Sequence, residues 1–185
     1  MVFSFSWPFS PARRARRALR QRAETLYGVA VAQARQPLFY QAYGVTDSPE
    51  GRFEMVALHI WLLLHRLKAL PEAAELAQAL HDVMMDDMDL SLRELGISDV
   101  VIGKRIKLVA ENLYGRLQAY DAGLDDSAAF AAALRRNAYG PRAGVPTDDA
   151  VAAMIGYCHR QVAALAAQAS ADLLAGSCQF SALTE

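Results

Sequence analysis

The segment 81–99 concentrates carboxylates in a stretch that otherwise has the pattern of an apolar helix. Four aspartates fall within eight positions: Asp82, Asp86, Asp87 and Asp89. Clustered carboxylates can hold a divalent cation or perform acid–base chemistry, so this is the first candidate site. The spacing favours another interpretation, because three of these aspartates and Arg93 follow one another at i, i+4, i+7 and i+11. That spacing predicts one solvent-facing helical stripe opposite the apolar residues.

Asp87 is the exception, because it borders the apolar stripe between Met84 and Met88. A carboxylate in such a place needs a cation or water. We predict an ion pair with an arginine or lysine of a neighbouring helix or of a partner protein.

Other spacings typical of catalytic or metal sites are missing from the sequence. A DDxxD motif would need aspartate where Leu90 stands, and no ExxH, GxSxG, P-loop or GxGxxG occurs. His59 lies inside an apolar run, a position typical of a hydrogen-bonded core histidine. We therefore predict no catalytic residue, metal or cofactor. The alternative is a small helical enzyme that uses His59 with a nearby carboxylate.

Positive charge is concentrated at the N-terminus. Residues 1–35 contain seven arginines and one acid, Glu24, although the whole chain has a net charge of -1. Aromatic side chains and an arginine cluster occur together there: Phe3, Phe5, Trp7, Arg13, Arg14, Arg16 and Arg17. This combination predicts contact with a membrane or ribosome surface. The alternatives are a disordered terminus or, because acids are scarce, a mitochondrial transit peptide.

Composition indicates one globular domain in a reducing compartment. The 185 residues are 54% hydrophobic and 21% charged, which excludes a disordered chain. The two cysteines, Cys158 and Cys178, have no CxxC spacing, and the longest apolar run, 55–64, is half the length of about 20 residues needed to span a bilayer.

Helical periodicity fills nearly every segment between prolines and glycines, and no convincing strand is found. The predicted helices cover 10–35, a short stretch after Pro37, 50–70, 72–95, 98–123, 126–138 and 147–173. The third of these is apolar on nearly all sides, which is typical of a central helix. We predict an all-α bundle of six to seven helices around residues 50–68.

Several short motifs, taken in order, resemble the ubiquinol-cytochrome c chaperone family over roughly residues 36–175. They are Tyr43-Gly44, the helix from Phe53 to Leu67, the MDxxLRExGxxD run from Met88 to Asp99, Gly103-Lys104 and the YGRL motif from Tyr114 to Leu117. The resemblance implies an all-helical, non-enzymatic factor that binds newly made cytochrome b during assembly of respiratory complex III. It also implies contact with the ribosomal exit region and a small partner subunit. It supplies no catalytic residue.

The resemblance and the residues together suggest an organisation and a site. We expect a basic segment and helix at 1–35, a helical chaperone domain at 36–175 and a tail at 176–185. An adaptable apolar surface with charged margins would suit an insoluble client, and methionine provides adaptability. The expected client or partner contacts are Trp61, Leu62, Met84, Met85, Asp86, Met88, Asp89, Arg93, Lys104 and Arg105.

Location and one further alternative follow from the same features. We expect a protein peripheral to the inner membrane, on the cytoplasmic side in a bacterium or on the matrix side in a eukaryote. The basic residues also allow an adaptor that binds ribosomal RNA, whereas nothing indicates DNA binding.

Overall fold

A computed structural model describes residues 11–94, 96–140 and 145–183, with only the backbone for positions 99 and 100. Within these residues the chain is helical, as predicted. The helices are α1 (Pro11–Ala34), α2 (Leu38–Gln41), α3 (Pro49–Lys68), α4 (Ala74–Glu94), α5 (Asp99–Gly123), α6 (Ser127–Arg136), α7 (Asp148–Ala167) and α8 (Ser170–Leu174). A single 3-10 turn, Pro71–Ala73, precedes α4.

Helix α3 is the centre of the bundle, which confirms the prediction from its apolar pattern. Every residue from Glu54 to Leu63 is buried, and α1, α4, α5 and α7 all pack against this helix. Complete burial of each large aliphatic side chain contributes about 1.5–3 kcal/mol, and α3 has more buried residues than any other described helix. Helix α1 packs closely because its buried face is rich in alanine, with Ala23, Ala30 and Ala34 fully buried.

Local sequence signals set most helix ends. The Ser48 hydroxyl accepts a hydrogen bond from the Gly51 backbone N–H at 3.1 Å, so Ser48 caps α3, and Thr147 caps α7 in the same way. Ser98 stands at the N-cap position of α5, where its side chain makes no capping bond. Gly44 and Gly96 follow helices with positive φ values of 72° and 77°.

The last predicted helix was too long: α7 ends at Ala167 instead of continuing through Leu173. The cause is a long-range contact, because the Gln168 side chain bonds the backbone N–H and C=O of Gln179 at 2.9 and 2.7 Å. The Gln161 amide bonds the backbone of Ser181 in the same two-way manner. These amides hold residues 177–183 against α7. Gly176 (φ 86°) turns the chain beside the backbone of Arg22 in α1.

Candidate functional site

An open groove of about 790 Å³ lies between the end of α1, the start of α3, the second half of α4 and the middle of α5. Its walls are mainly apolar. The apolar wall residues include Tyr27, Val31, Phe53, Val56, Met88, Leu92 and Val109. Val109 is half-exposed and belongs to the wall without being packed in the main core. The groove therefore offers apolar surface that the bundle itself does not cover.

A buried ion pair joins two of the helices at the groove. Arg116 of α5 donates from Nε to Oε2 of Glu54 at 2.7 Å and from Nη2 to Oε1 at 2.5 Å. The two side chains are 19% and 11% exposed, and the guanidinium lies 5.6 Å from the ring centroid of Phe53. Burial raises the pKa of Glu54, while the bonds and charge of Arg116 oppose that rise.

The Glu54–Arg116 pair was not predicted from the sequence, although one signal for it was available. Glu54 directly precedes the apolar run 55–64, and a carboxylate at the edge of such a run requires a cation from elsewhere in the fold when it is buried. The partner lies 62 positions away, so no local pattern identifies it.

Asp87 also lines the groove, and its partner differs from the one predicted. The Tyr27 hydroxyl of α1 donates to Asp87 Oδ2 at 2.6 Å, in place of the arginine or lysine that was expected. Burial and then this bond raise the pKa of the Tyr27 phenol well above its ordinary value, so the tyrosine remains a donor. A neutral hydroxyl satisfies the carboxylate because Asp87 is only half-buried and keeps access to water.

The acidic stripe of α4 faces solvent, as its spacing predicted. Asp86 binds Arg20 of α1 at 2.8 Å, and Asp89 binds Arg93 one turn along α4 at 2.6 Å. Asp82 accepts a bond from Gln78 at 2.8 Å. In the part of the chain that the structure describes, no three histidine, cysteine or acidic side chains are arranged to hold a metal ion.

The residues expected to contact a client fall into two groups. Trp61, Leu62 and Met84 are at most 1% exposed. Neighbouring helices cover them, and the indole N–H of Trp61 donates to Asp121 at 2.9 Å. In this conformation they belong to the hydrophobic core and form no part of the surface. The other expected contacts are at least partly exposed: Met85, Asp86, Met88, Asp89, Arg93, Lys104 and Arg105.

The basic N-terminal cluster lies partly outside the described residues. Phe3, Phe5 and Trp7 precede them, whereas the four arginines at 13, 14, 16 and 17 are exposed on the first turns of α1. Among the described helices, none combines the length and hydrophobicity needed to cross a bilayer.

His59, the histidine of the enzyme alternative, is completely buried. Its Nδ1 donates to the Met55 carbonyl at 2.6 Å, and its Nε2 then accepts from the Tyr157 hydroxyl at 2.7 Å. Burial lowers the pKa of the imidazole to about 4, so the ring is neutral at physiological pH. The ring is thus closed to a substrate, and both of its nitrogens are engaged in structural hydrogen bonds.

Comparison with known proteins identifies similar chains. The family model described as ubiquinol-cytochrome C chaperone matches residues 41–180. The crystal structure of the Cbp3 homolog from Brucella abortus matches with a TM-score of 0.80 and 39% identity, over 93% of this chain and 95% of that one.

Two curated relatives share the name ubiquinol-cytochrome c reductase complex assembly factor 1. The Mus musculus protein is 25% identical over 138 residues, which are 74% of this chain and 46% of that protein. The Xenopus laevis protein is 25% identical over 138 residues, which are 74% of this chain and 68% of that protein. The present chain thus spans about half the length of the mouse relative.

Proposed function

The chain belongs to the ubiquinol-cytochrome c chaperone family, and on that premise we propose that it binds newly synthesised cytochrome b for assembly into ubiquinol-cytochrome c reductase. The observation that supports this proposal best is the open apolar groove between α1, α3, α4 and α5. A segment destined for a membrane has apolar side chains that need shelter from water, and this groove offers it.

The size of the groove limits what it holds. Its volume of about 790 Å³ is within the range of about 300–1,000 Å³ that accommodates a drug-sized molecule. A few client side chains fit, whereas an entire transmembrane helix does not. The chaperone would therefore grip a short segment of the client, and Met88 would adapt the wall to differing side chains.

The groove lining combines three exposed charged residues, Arg35, Glu50 and Arg52, with a buried ion pair that is compatible with an apolar client. Glu54 is satisfied by Arg116, and Asp87 is satisfied by Tyr27. Covering the Glu54–Arg116 pair with apolar side chains would leave neither charge without a partner, whereas Asp87, whose partner is a neutral hydroxyl, would have to keep its contact with water or bind a polar group of the client. The same pairing argues against catalysis, because these titratable groups already bind one another.

Charged margins complete the proposed client surface. Asp86, Asp89 and Arg93 are on α4, one of the helices that wall the groove. They would contact the polar ends of a client segment. Met85 would extend the apolar surface along α4.

The remaining partners are proposals from family membership and from the N-terminal sequence. Phe3, Phe5, Trp7 and the arginines of α1 would contact the membrane or the ribosomal exit region, and a small partner subunit would bind the bundle. The location would be peripheral to the inner membrane, on its cytoplasmic side in a bacterium or its matrix side in a eukaryote.

The experiment is recovery of labelled cytochrome b with the tagged, full-length chain from cells translating it. Val109→Asp places a charge in the groove wall at a position outside the main core, and Val145→Asp makes the same change at a site 93% exposed. We expect Val109→Asp to lose most of the labelled client and Val145→Asp to retain it. Failure of the unmodified chain to recover cytochrome b, or equal recovery by both variants, would contradict the proposal.

A further inference from the structure

One face of α5 presents apolar and basic side chains together to solvent. Val101, Lys104, Arg105 and Leu108 stand at i, i+3, i+4 and i+7, so they share one side of the helix, called here the α5 outer face. Val101 is 42% exposed and Leu108 is 56% exposed, so the face presents two large aliphatic side chains to solvent. Lys104 and Arg105 are exposed, and neither has an ion-pair partner within the described residues.

No neighbouring element among the described residues covers this part of α5. The buried side of the helix is formed by Ile102 and Leu113, which lie on another face. The first two turns of α5 are exposed on most sides, since among positions 101–108 only Ile102 is buried and Ile106 is partly buried. The outer face is thus a second apolar strip that the fold leaves uncovered.

We infer that the α5 outer face docks on an anionic lipid bilayer. Aliphatic side chains on both sides of a pair of cations fit the boundary between lipid headgroups and acyl chains, because the cations contact phosphates while the aliphatic groups enter the apolar layer. Glu111, the next acid along the helix from position 99, lies one turn beyond the strip and pairs with Lys107 at 3.8 Å. The strip itself contains no carboxylate that would repel an anionic surface.

The apolar members of the strip favour lipid over single-stranded RNA. Proteins that bind single strands use aromatic side chains, on which the bases stack. Val101 and Leu108 offer aliphatic groups in those places. The charges are suited to phosphates in either case, but the aliphatic groups on either side of them are suited to acyl chains.

Docking through this face would orient the groove. Val109 follows Leu108 directly and belongs to the groove wall, so the bilayer surface would lie beside one rim of the groove. The value of this arrangement for client transfer rests on the proposed function, whereas the docking itself requires no client.

The test measures binding of the full chain to vesicles containing equal parts of phosphatidylcholine and phosphatidylglycerol, with vesicles of phosphatidylcholine alone for comparison. Lys104→Gln combined with Arg105→Gln is expected to weaken binding about 25-fold, because each basic residue near an anionic surface contributes about fivefold. The matched control is Lys68→Gln with Arg136→Gln, which removes the same two charges from exposed positions on α3 and α6. It is expected to bind like the unmodified chain.

The apolar part of the inference has its own matched pair. Val101→Asp is expected to weaken vesicle binding at least fivefold, which is about the effect of removing one basic residue. The control Val145→Asp is expected to leave vesicle binding unchanged. Loss of binding only when Arg13, Arg14, Arg16 and Arg17 are changed to glutamine would overturn the inference in favour of α1. The inference would also be overturned if the variant with Lys104→Gln and Arg105→Gln bound vesicles as the unmodified chain does but bound single-stranded RNA less tightly. Because no client is present, these outcomes are independent of cytochrome b recovery.

Discussion

Replacing Arg116 with methionine is expected to lower the free energy of unfolding by about 3–5 kcal/mol, because it leaves Glu54 charged and buried without a partner. The magnitude follows from the site: the Glu54 side chain is only 11% exposed and both of its oxygens are bound by Arg116. For a domain of this size each kcal/mol shifts the melting temperature by about 2–4 °C, so thermal unfolding monitored by circular dichroism should show a decrease of about 6–20 °C.

The penalty should depend on pH in a defined direction. Burial raises the pKa of Glu54 and Arg116 opposes that rise, so removing Arg116 moves the pKa higher. A carboxyl whose folded-state pKa is raised stabilises the fold at low pH, and this contribution is lost as the pH rises through the folded-state value. The deficit of Arg116→Met should therefore shrink when the pH is lowered from 7 to about 5.

A double variant distinguishes a coupled pair from two independent residues. Glu54→Leu combined with Arg116→Met removes both charges and replaces them with apolar groups of similar size, so its stability should be close to that of the unmodified protein. If the two single changes are each neutral within about 0.5 kcal/mol, or if their costs simply add in the double variant, the reasoning about a buried coupled pair is refuted.

Two further predictions concern the core and the C-terminal turn. Burial lowers the pKa of His59 to about 4. The stability that the neutral ring contributes is therefore present above the ordinary imidazole pKa and is lost as the pH falls toward 4. Urea titrations of the unmodified protein and of His59→Leu should show the difference in their free energies of unfolding shifting by about 3 kcal/mol in favour of the variant between pH 7 and 4. An invariant difference would contradict this assignment. Gly176→Ala should destabilise by more than about 1 kcal/mol, since φ is 86° and the added carbon would lie 2.9 Å from the α1 backbone. Gly103→Ala, at an open position inside α5, should instead stabilise the fold by about 0.5–1 kcal/mol, measured for both variants by thermal unfolding. If Gly176→Ala and Gly103→Ala changed the stability by similar amounts, the backbone conformation and close contact of Gly176 would not explain its effect.

The helical elements and the central position of α3 followed from the sequence because their causes are local. Apolar residues on nearly all sides of α3 require neighbours on all sides, and Ser48 and Thr147 provide caps within one turn of the groups they bind. The solvent-facing stripe of α4 was predictable for the same reason, since helical geometry alone places Asp82, Asp86 and Asp89 together.

The composition of the groove was not predictable in this way. Trp61, Leu62 and Met84 have side chains suited to either core or surface, and only the packing of neighbouring helices buries them. Conversely, the exposed pair of Val101 and Leu108 was not predicted, because an aliphatic residue in a helix indicates a core position unless the neighbours are known.

What the sequence determined by itself was therefore most of the helices, the caps of α3 and α7 and which helix needed the most neighbours, because these depend on interactions within a few residues. Tertiary structure alone decided the pairing of Glu54 with Arg116 and of Asp87 with Tyr27, which span 62 and 60 positions, and it ended α7 through the bonds of Gln168 to Gln179. These contacts join separate helices or distant segments, so their partners exist only once the chain has packed.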